Sequence, residues 1–165
     1  MQKNQRLCSS FIFEPSRYPM TQHYNTYQLN ALQQLADFRR IFYDENKNVR
    51  TDSLQKSVNS FVDLFCQHHF ADSDYSAIQK KPEEFATTDE WINQFDIGTI
   101  LKGITYYIWT NKSNKGYLII KIKDGSMHKY LSRLNDILAN EHMQSKLQQR
   151  NNALSNLFKK QNNPR

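Results

Sequence analysis

The alternation of apolar and polar positions predicts two amphipathic helices in the first half of the chain. The first helix is expected from about Tyr27 to Phe42, because apolar residues recur there every three or four positions. Residues 44–48 are polar and should form a loop. A second helix is expected from about Asp52, a suitable N-cap with Gln55 three residues on, and the two helices should form an antiparallel hairpin. Its apolar stripe consists of Leu54, Val58, Phe61, Val62, Phe65 and Cys66.

A short third helix is predicted after an acidic, irregular stretch at residues 70–86. The residues from Thr87 to Glu90 have the order of a capping box, in which the Thr87 hydroxyl and the Glu90 carboxylate each accept a backbone N–H bond. The helix would then contain Trp91, Ile92 and Phe95. Gly98 is expected to end this region.

The segment between residues 104 and 123 has the composition of a β-hairpin. Residues 104–109 and 117–123 are rich in β-branched and aromatic side chains, and the polar residues 110–116 separate them. A turn at Asp124 and Gly125 follows.

The last element is predicted to be a long helix capped by Ser126. Its apolar spacing thins after Asn140, where a bend or fraying is expected. The predicted fold class is therefore α+β: an N-terminal helical hairpin, a short third helix, an antiparallel β-hairpin or small sheet, and a long C-terminal helix. Residues 27–158 would form a single α+β domain, preceded by an N-terminal arm or tail at 1–26 and followed by a disordered basic tail at 159–165.

The charge is distributed unevenly along the chain. The 165 residues carry a net charge of +6, with +2 in residues 1–71, −5 in residues 72–96 and +9 in residues 97–165. A basic C-terminal part favours a polyanionic partner, although a solvated basic helix face has the same composition. Nucleic acid or a nucleoprotein complex is therefore the first partner to consider.

Other features narrow the class of protein. No stretch approaches the roughly 18 apolar residues that span a bilayer, so no membrane partner is expected. The two cysteines, Cys8 and Cys66, suggest no disulfide framework, which favours a reducing, cytoplasmic location. Neither a Gly-rich phosphate loop nor a nucleophile motif is present, so no cofactor or catalytic residue is assigned.

The predicted hairpin offers a candidate binding surface. Side chains alternate across a strand, so Tyr107 and Trp109 would share a face with Lys121 and Lys123. Aromatic rings that stack bases, next to ammonium groups that meet phosphates, form a platform for single-stranded nucleic acid. The candidate binding residues are Tyr107, Trp109, Lys112, Lys115, Lys121, Lys123, Lys129 and Arg133.

A second cluster contains residue types that bind zinc: Cys66, His68, His69, Asp72 and Asp74. Its spacing matches no standard zinc site, and Cys66 also fits the buried stripe of the second helix. A metal-dependent or histidine-based enzyme therefore remains a minor hypothesis, and no metal ligand is assigned.

Residues 31–42 resemble the first helix of a phage-encoded inhibitor of type V CRISPR effectors. The resemblance covers twelve residues of common helix-forming type, and that inhibitor is acidic whereas this chain is basic. It implies a small accessory protein of a mobile element and transfers no site residue.

Two functions follow from these observations. The first is a small non-enzymatic protein that contacts nucleic acid or a nucleoprotein complex through the basic aromatic hairpin and the C-terminal helix. The alternative is a protein–protein inhibitor or adaptor, anti-CRISPR-like or a secretion chaperone, that uses the aromatic hairpin face as a hot-spot patch.

Overall fold

Every regular element of secondary structure in the described part of the chain is a helix. The computed structural model describes residues 24–72, 75 and 88–161, with side chains for all of these except residue 89 and residues 153–161. Within these ranges there is no strand, and an isolated antiparallel bridge joins Tyr43 to Val49. The helices are α1 (Thr26–Phe42), α2 (Leu54–Gln67), α3 (Asp89–Ile92), α4 (Ile97–Ser113), α5 (Tyr117–Lys123) and α6 (Ser126–Gln161).

The predicted α+β fold class is wrong because the expected β-hairpin is a pair of helices, α4 and α5. In α5, Leu118 and Ile122 are fully buried, whereas Ile120 between them is 54% exposed. A four-residue repeat of burial is helical, since a strand would place all three side chains on one face. The buried residues of α4 follow the same spacing: Ile97, Ile100, Leu101, Ile104, Tyr107 and Ile108.

The polar segment between the two predicted strands contains the last turn of α4 and a tight helix–helix turn at residues 114–116. Gly116 has φ +91°, a left-handed conformation that glycine adopts without steric cost. The Asn111 side-chain oxygen accepts hydrogen bonds from the backbone N–H groups of Gly116 (3.0 Å) and Leu118 (3.1 Å). A side chain from α4 thus satisfies backbone donors at the start of α5, which have no partner within their own helix.

A matched pair of substitutions distinguishes the helix from the predicted strand. Ile122→Lys places a charge in the core and should cost at least as much as truncating a buried Ile, about 2–5 kcal/mol of unfolding free energy. Ile120→Lys lies on an exposed position and should change stability by less than about 0.5 kcal/mol. Urea denaturation of both variants measures the difference. Equal destabilisation of the two would support the strand.

Helices α1 and α2 lie where they were predicted, whereas the N-caps of α2 and α3 differ from the predicted residues. Asn25 caps α1 in a reciprocal arrangement with Gln28, where each side chain accepts the other residue's backbone N–H. The N-cap of α2 is Ser53 in a left-handed conformation and not Asp52. Thr87 lies outside the described residues, and the N-cap of α3 is Thr88, whose side chain makes no capping hydrogen bond.

Helix α6 is the element on which the others assemble. Its first three turns pack against α1, α3, α4 and α5, while α2 packs on α1 and α5. The face of α6 that these helices cover consists of Met127, Tyr130, Leu131, Leu134 and Leu138. The helix continues to Gln161, through the region after Asn140 where a bend or fraying was predicted. All side chains from 139 to 152 are exposed, so this part of α6 projects from the body.

Helices α4 and α6 approach each other closely at Gly103 of α4 and Tyr130 of α6. A Cβ atom at Gly103 would overlap the hydroxyl and the ring of Tyr130. The Tyr130 ring is 1% exposed, and it stacks on Phe95 at a centroid distance of 6.1 Å and tilts against Tyr107 at 5.4 Å. The absence of a side chain at residue 103 is what gives this phenol its place between the helices.

Adding a methyl group at residue 103 should therefore destabilise the protein. Gly103→Ala overpacks the α4–α6 contact, which costs about 1–3 kcal/mol of unfolding free energy. Gly98→Ala is the matched control, because a methyl there would lie 3.7 Å from the Asp96 carboxylate, an ordinary contact. This control should be neutral or more stable by up to about 1 kcal/mol from helix propensity. Equal stability of the two variants in thermal or urea unfolding would show that the α4–α6 contact can accommodate a methyl group at residue 103.

Candidate anion-binding cleft

The aromatic platform predicted on the hairpin is not formed. Tyr107 and Trp109 lie two residues apart on helix α4, about 200° around its axis, and so they do not share a face. Tyr107 is 7% exposed, and burial is the main cause that raises the pKa of its phenol. Tyr107 is therefore a core residue and cannot stack on a base.

Trp109 and Lys112 are brought together, but the tryptophan ring is already packed. The Trp109 ring lies nearly parallel to the Tyr75 ring, with an interplanar angle of 6° and a centroid distance of 5.7 Å. The Lys112 Nζ lies 3.4 Å from the centroid of the Trp109 ring, which is a cation–π contact.

The lysines around α5 differ in their surroundings. Lys121 Nζ pairs with the Asp124 carboxylate at 2.7 Å and lies within 6 Å of the Tyr107 and Tyr117 rings. Burial opposes ionisation of Asp124, yet its bonds to Lys121 and Ser126 outweigh this and lower its pKa. Lys115, in the predicted loop, and Lys123, at the end of the predicted second strand, are both exposed. Of these three lysines, Lys121 is thus tied to a structural ion pair.

Lys129 and Arg133 meet in a cleft of about 360 Å³ beside the first three turns of α6. They are four residues apart and so lie on the same side of the helix. The Arg133 Nε donates to the Phe95 carbonyl at 3.1 Å, which fixes the guanidinium against the segment after α3. This bond uses one of the five N–H donors of the guanidinium. The full lining is Lys47, Ile92, Asn93, Gly125, His128, Lys129, Ser132, Arg133 and Asp136.

The loop between α1 and α2 brings a third cation, Lys47, to the cleft. Asp44 organises this loop, because its carboxylate accepts backbone N–H bonds from Asn46 (2.9 Å) and Asn48 (2.8 Å). These bonds, with that from the Asn48 side chain, lower the pKa of Asp44. Lys47 itself has φ +65°, a left-handed conformation at the tip of the turn.

The imidazole of His128 forms part of the cleft wall. Its ring packs edge-on against Tyr43 at 4.8 Å, and its Nδ1 lies 3.5 Å from the Ser132 hydroxyl. Burial lowers the pKa of His128 from its usual 6.5, and the positive charges of Arg39 and Lys47 lower it further. Tyr43 in turn donates a buried hydrogen bond to the Ile122 carbonyl at 2.8 Å, so the wall of the cleft is anchored in the core.

Among the zinc-type residues in and after α2, His68 packs against aromatic rings. The His68 ring stacks on Phe70 at 5.7 Å and tilts against Tyr27 at 5.5 Å. His69 has φ +54° at the turn after the helix, and Asp74 lies outside the described residues. In the part of the chain that the structure describes, no three Cys, His, Asp or Glu side chains are grouped as metal ligands.

The sequence analysis identified two of the three cations around the cleft, Lys129 and Arg133. It missed the third cation, Lys47, and the imidazole of His128. The spacing of Lys129 and Arg133 was sufficient to place them together. His128 precedes Lys129 directly on the same helix, and this adjacency was the signal that could have identified it. Lys47 is more than 80 positions away in a polar loop, and the sequence contains no signal that it returns to α6.

Comparisons with protein-family models, curated proteins and solved structures find no match to this chain. Among the described helices, none combines the length and the apolar character needed to cross a bilayer.

The depressed pKa of His128 gives a pH-dependent prediction. Because the unfolded state binds the His128 proton more readily, stability should fall as the pH drops from above 6.5 through the lower pKa of the folded protein. Removing one of the positive charges with Lys47→Gln should raise the His128 pKa, which NMR titration of the imidazole measures. Lys115→Gln is the charge-matched control and should leave it unchanged. A His128 pKa at or above 6.5, or one that ignores Lys47→Gln, would contradict the assigned cause.

Proposed function

We propose that this protein binds nucleic acid through the phosphate backbone, as a binding protein without a catalytic role. The observation that carries the proposal is the convergence of Lys47, Lys129 and Arg133, from two separate parts of the chain, on one cleft. Side chains of like charge repel each other, so such a convergence is favourable when an anion occupies the space between them.

The charge balance of the cleft supports an anionic ligand. Among the described residues that line it, Asp136 is the one carboxylate, against the three cations. The pKa of His128 agrees with this charge balance: burial lowers it first, and the positive charges of Arg39 and Lys47 lower it further. Phosphate oxygens accept hydrogen bonds from both lysine and arginine, and the planar guanidinium of Arg133 suits a phosphate in particular.

Recognition of the phosphate backbone, and not of the bases, fits the positions of Tyr107 and Trp109, the two aromatic residues considered for base stacking. Base stacking needs an open ring face, whereas Tyr107 is buried and Trp109 is covered by Tyr75 and Lys112. Contacts to phosphates position a protein on nucleic acid but carry no sequence information. The proposed binding is therefore independent of sequence and sensitive to salt.

The cleft can be tested with a pair of double variants of equal net charge. Lys47→Gln/Lys129→Gln should weaken binding of a fluorescent 20-nucleotide oligonucleotide by tenfold or more at low salt, because two phosphate contacts are lost. The slope of log Kd against log salt concentration should fall by about 1.4 for a single strand or about 1.8 for a duplex, the values expected for two lost contacts. Fluorescence anisotropy over a salt series measures both quantities.

Lys115→Gln/Lys123→Gln removes the same charge from the surface that the sequence first suggested, and it should change the affinity by less than about threefold. Oligonucleotide binding should also raise the His128 pKa in the unmodified protein, because a nearby phosphate favours the imidazolium. Equal effects of the two double variants, or binding that does not respond to salt, would show that the cleft is not the nucleic-acid site.

A further inference from the structure

The second half of helix α6 presents a surface that the body of the protein does not cover. Every side chain from 139 to 152 is exposed, and at a rise of 1.5 Å per residue this stretch is about 20 Å long. Two of its exposed side chains are large and apolar: Met143 is 58% exposed and Leu147 is 48% exposed.

These apolar residues lie on the side of the helix opposite the core-facing stripe. Met143 follows the buried Leu134 by nine residues, which is about two and a half turns. Met143 and Leu147 therefore do not extend the packing of Leu131, Leu134 and Leu138. They begin a second stripe, which faces away from the body.

The spacing of this second stripe is that of a helix-pairing seam. Positions 143, 147, 150, 154 and 157 alternate steps of four and three residues, as the a and d positions of a coiled coil do. The sequence has Met143, Leu147, Leu154 and Leu157 at four of these positions and Arg150 at the remaining one. We call these five positions the outer stripe of α6.

The place of Arg150 argues against a second copy of this chain as the occupant. Arg150 is the midpoint of the outer stripe, seven residues from Met143 and seven from Leu157. Two copies that overlap along the whole stripe would bring their Arg150 guanidiniums together whether the helices run parallel or antiparallel. Burying two like charges side by side is unfavourable in both coulombic and desolvation terms.

We propose that the outer stripe binds an amphipathic helix of another protein, one with an acidic residue in the middle of its apolar face. A carboxylate opposite Arg150 would form a bidentate, charge-assisted pair, while apolar residues of the partner helix cover Met143 and Leu147. The charges described near the stripe are Lys146 and Arg150 against Glu141, which favours an acidic partner. This interaction surface is separate from the cleft and does not depend on the proposed nucleic-acid binding.

The test uses the full-length protein and two designed 21-residue helical peptides. Both have leucine at the seam positions and glutamate on the flanks; one has glutamate at the central seam position and the other has lysine there. The central-glutamate peptide should bind at least tenfold more tightly by isothermal titration calorimetry. In the Arg150→Glu variant the order of the two peptides should reverse, and Leu147→Asp should weaken both.

Circular dichroism and unfolding of each variant provide the control, because both substituted side chains are exposed and the fold should be retained. Lys47→Gln/Lys129→Gln should leave peptide affinity unchanged, which separates this proposal from that for the cleft. Equal affinity for both peptides, or no reversal in Arg150→Glu, would overturn the proposal. So would a dimer in sedimentation equilibrium that Leu147→Asp dissociates, since the occupant would then be a second copy.

Discussion

The contact between Gly103 and Tyr130 sets the distance between α4 and α6, and the rest of the fold depends on that distance. Because residue 103 has no side chain, the Tyr130 phenol can lie against the α4 backbone and reach Phe95 and Tyr107. These rings fill the space among α3, α4 and α6. The same packing orients the first turns of α6, so that the adjacent face of these turns, with Lys129 and Arg133, lines the cleft. The part of the cleft formed by α6 is thus held in place by the core.

Two polar interactions connect this core to the wall of the cleft. Tyr43 bonds the Ile122 carbonyl and packs against His128, so it joins the end of α1 to α5 and α6. Asp44, the next residue, organises the turn that carries Lys47. A buried hydrogen bond and an exposed, carboxylate-centred turn are therefore consecutive in sequence. Together they position a cation from the N-terminal part of the chain next to cations from the C-terminal part.

The sequence predicted the helices with regular 3.6-residue stripes and failed where two periodicities compete. In residues 117–123, Leu118, Ile120 and Ile122 satisfy a period of two, while Leu118 and Ile122 alone satisfy the helical period. Local β propensity favours the strand period of two. The structure has the helical period, because α5 packs its buried side against α4 and α6. The cleft was half predictable, because Lys129 and Arg133 are neighbours on one helix. Lys47 was not, because its position depends on a long-range contact that no local pattern encodes.

Helix α6 runs without interruption from the cleft to the outer stripe, and this continuity has a mechanical consequence. Arg133 and Arg150 are separated by 17 residues of one helix, a rise of about 25 Å. Because every residue between them belongs to one hydrogen-bonded helix, the distance and the rotation between the two positions are fixed by the helix geometry. Two ligands bound at these positions would therefore have a defined separation and relative orientation.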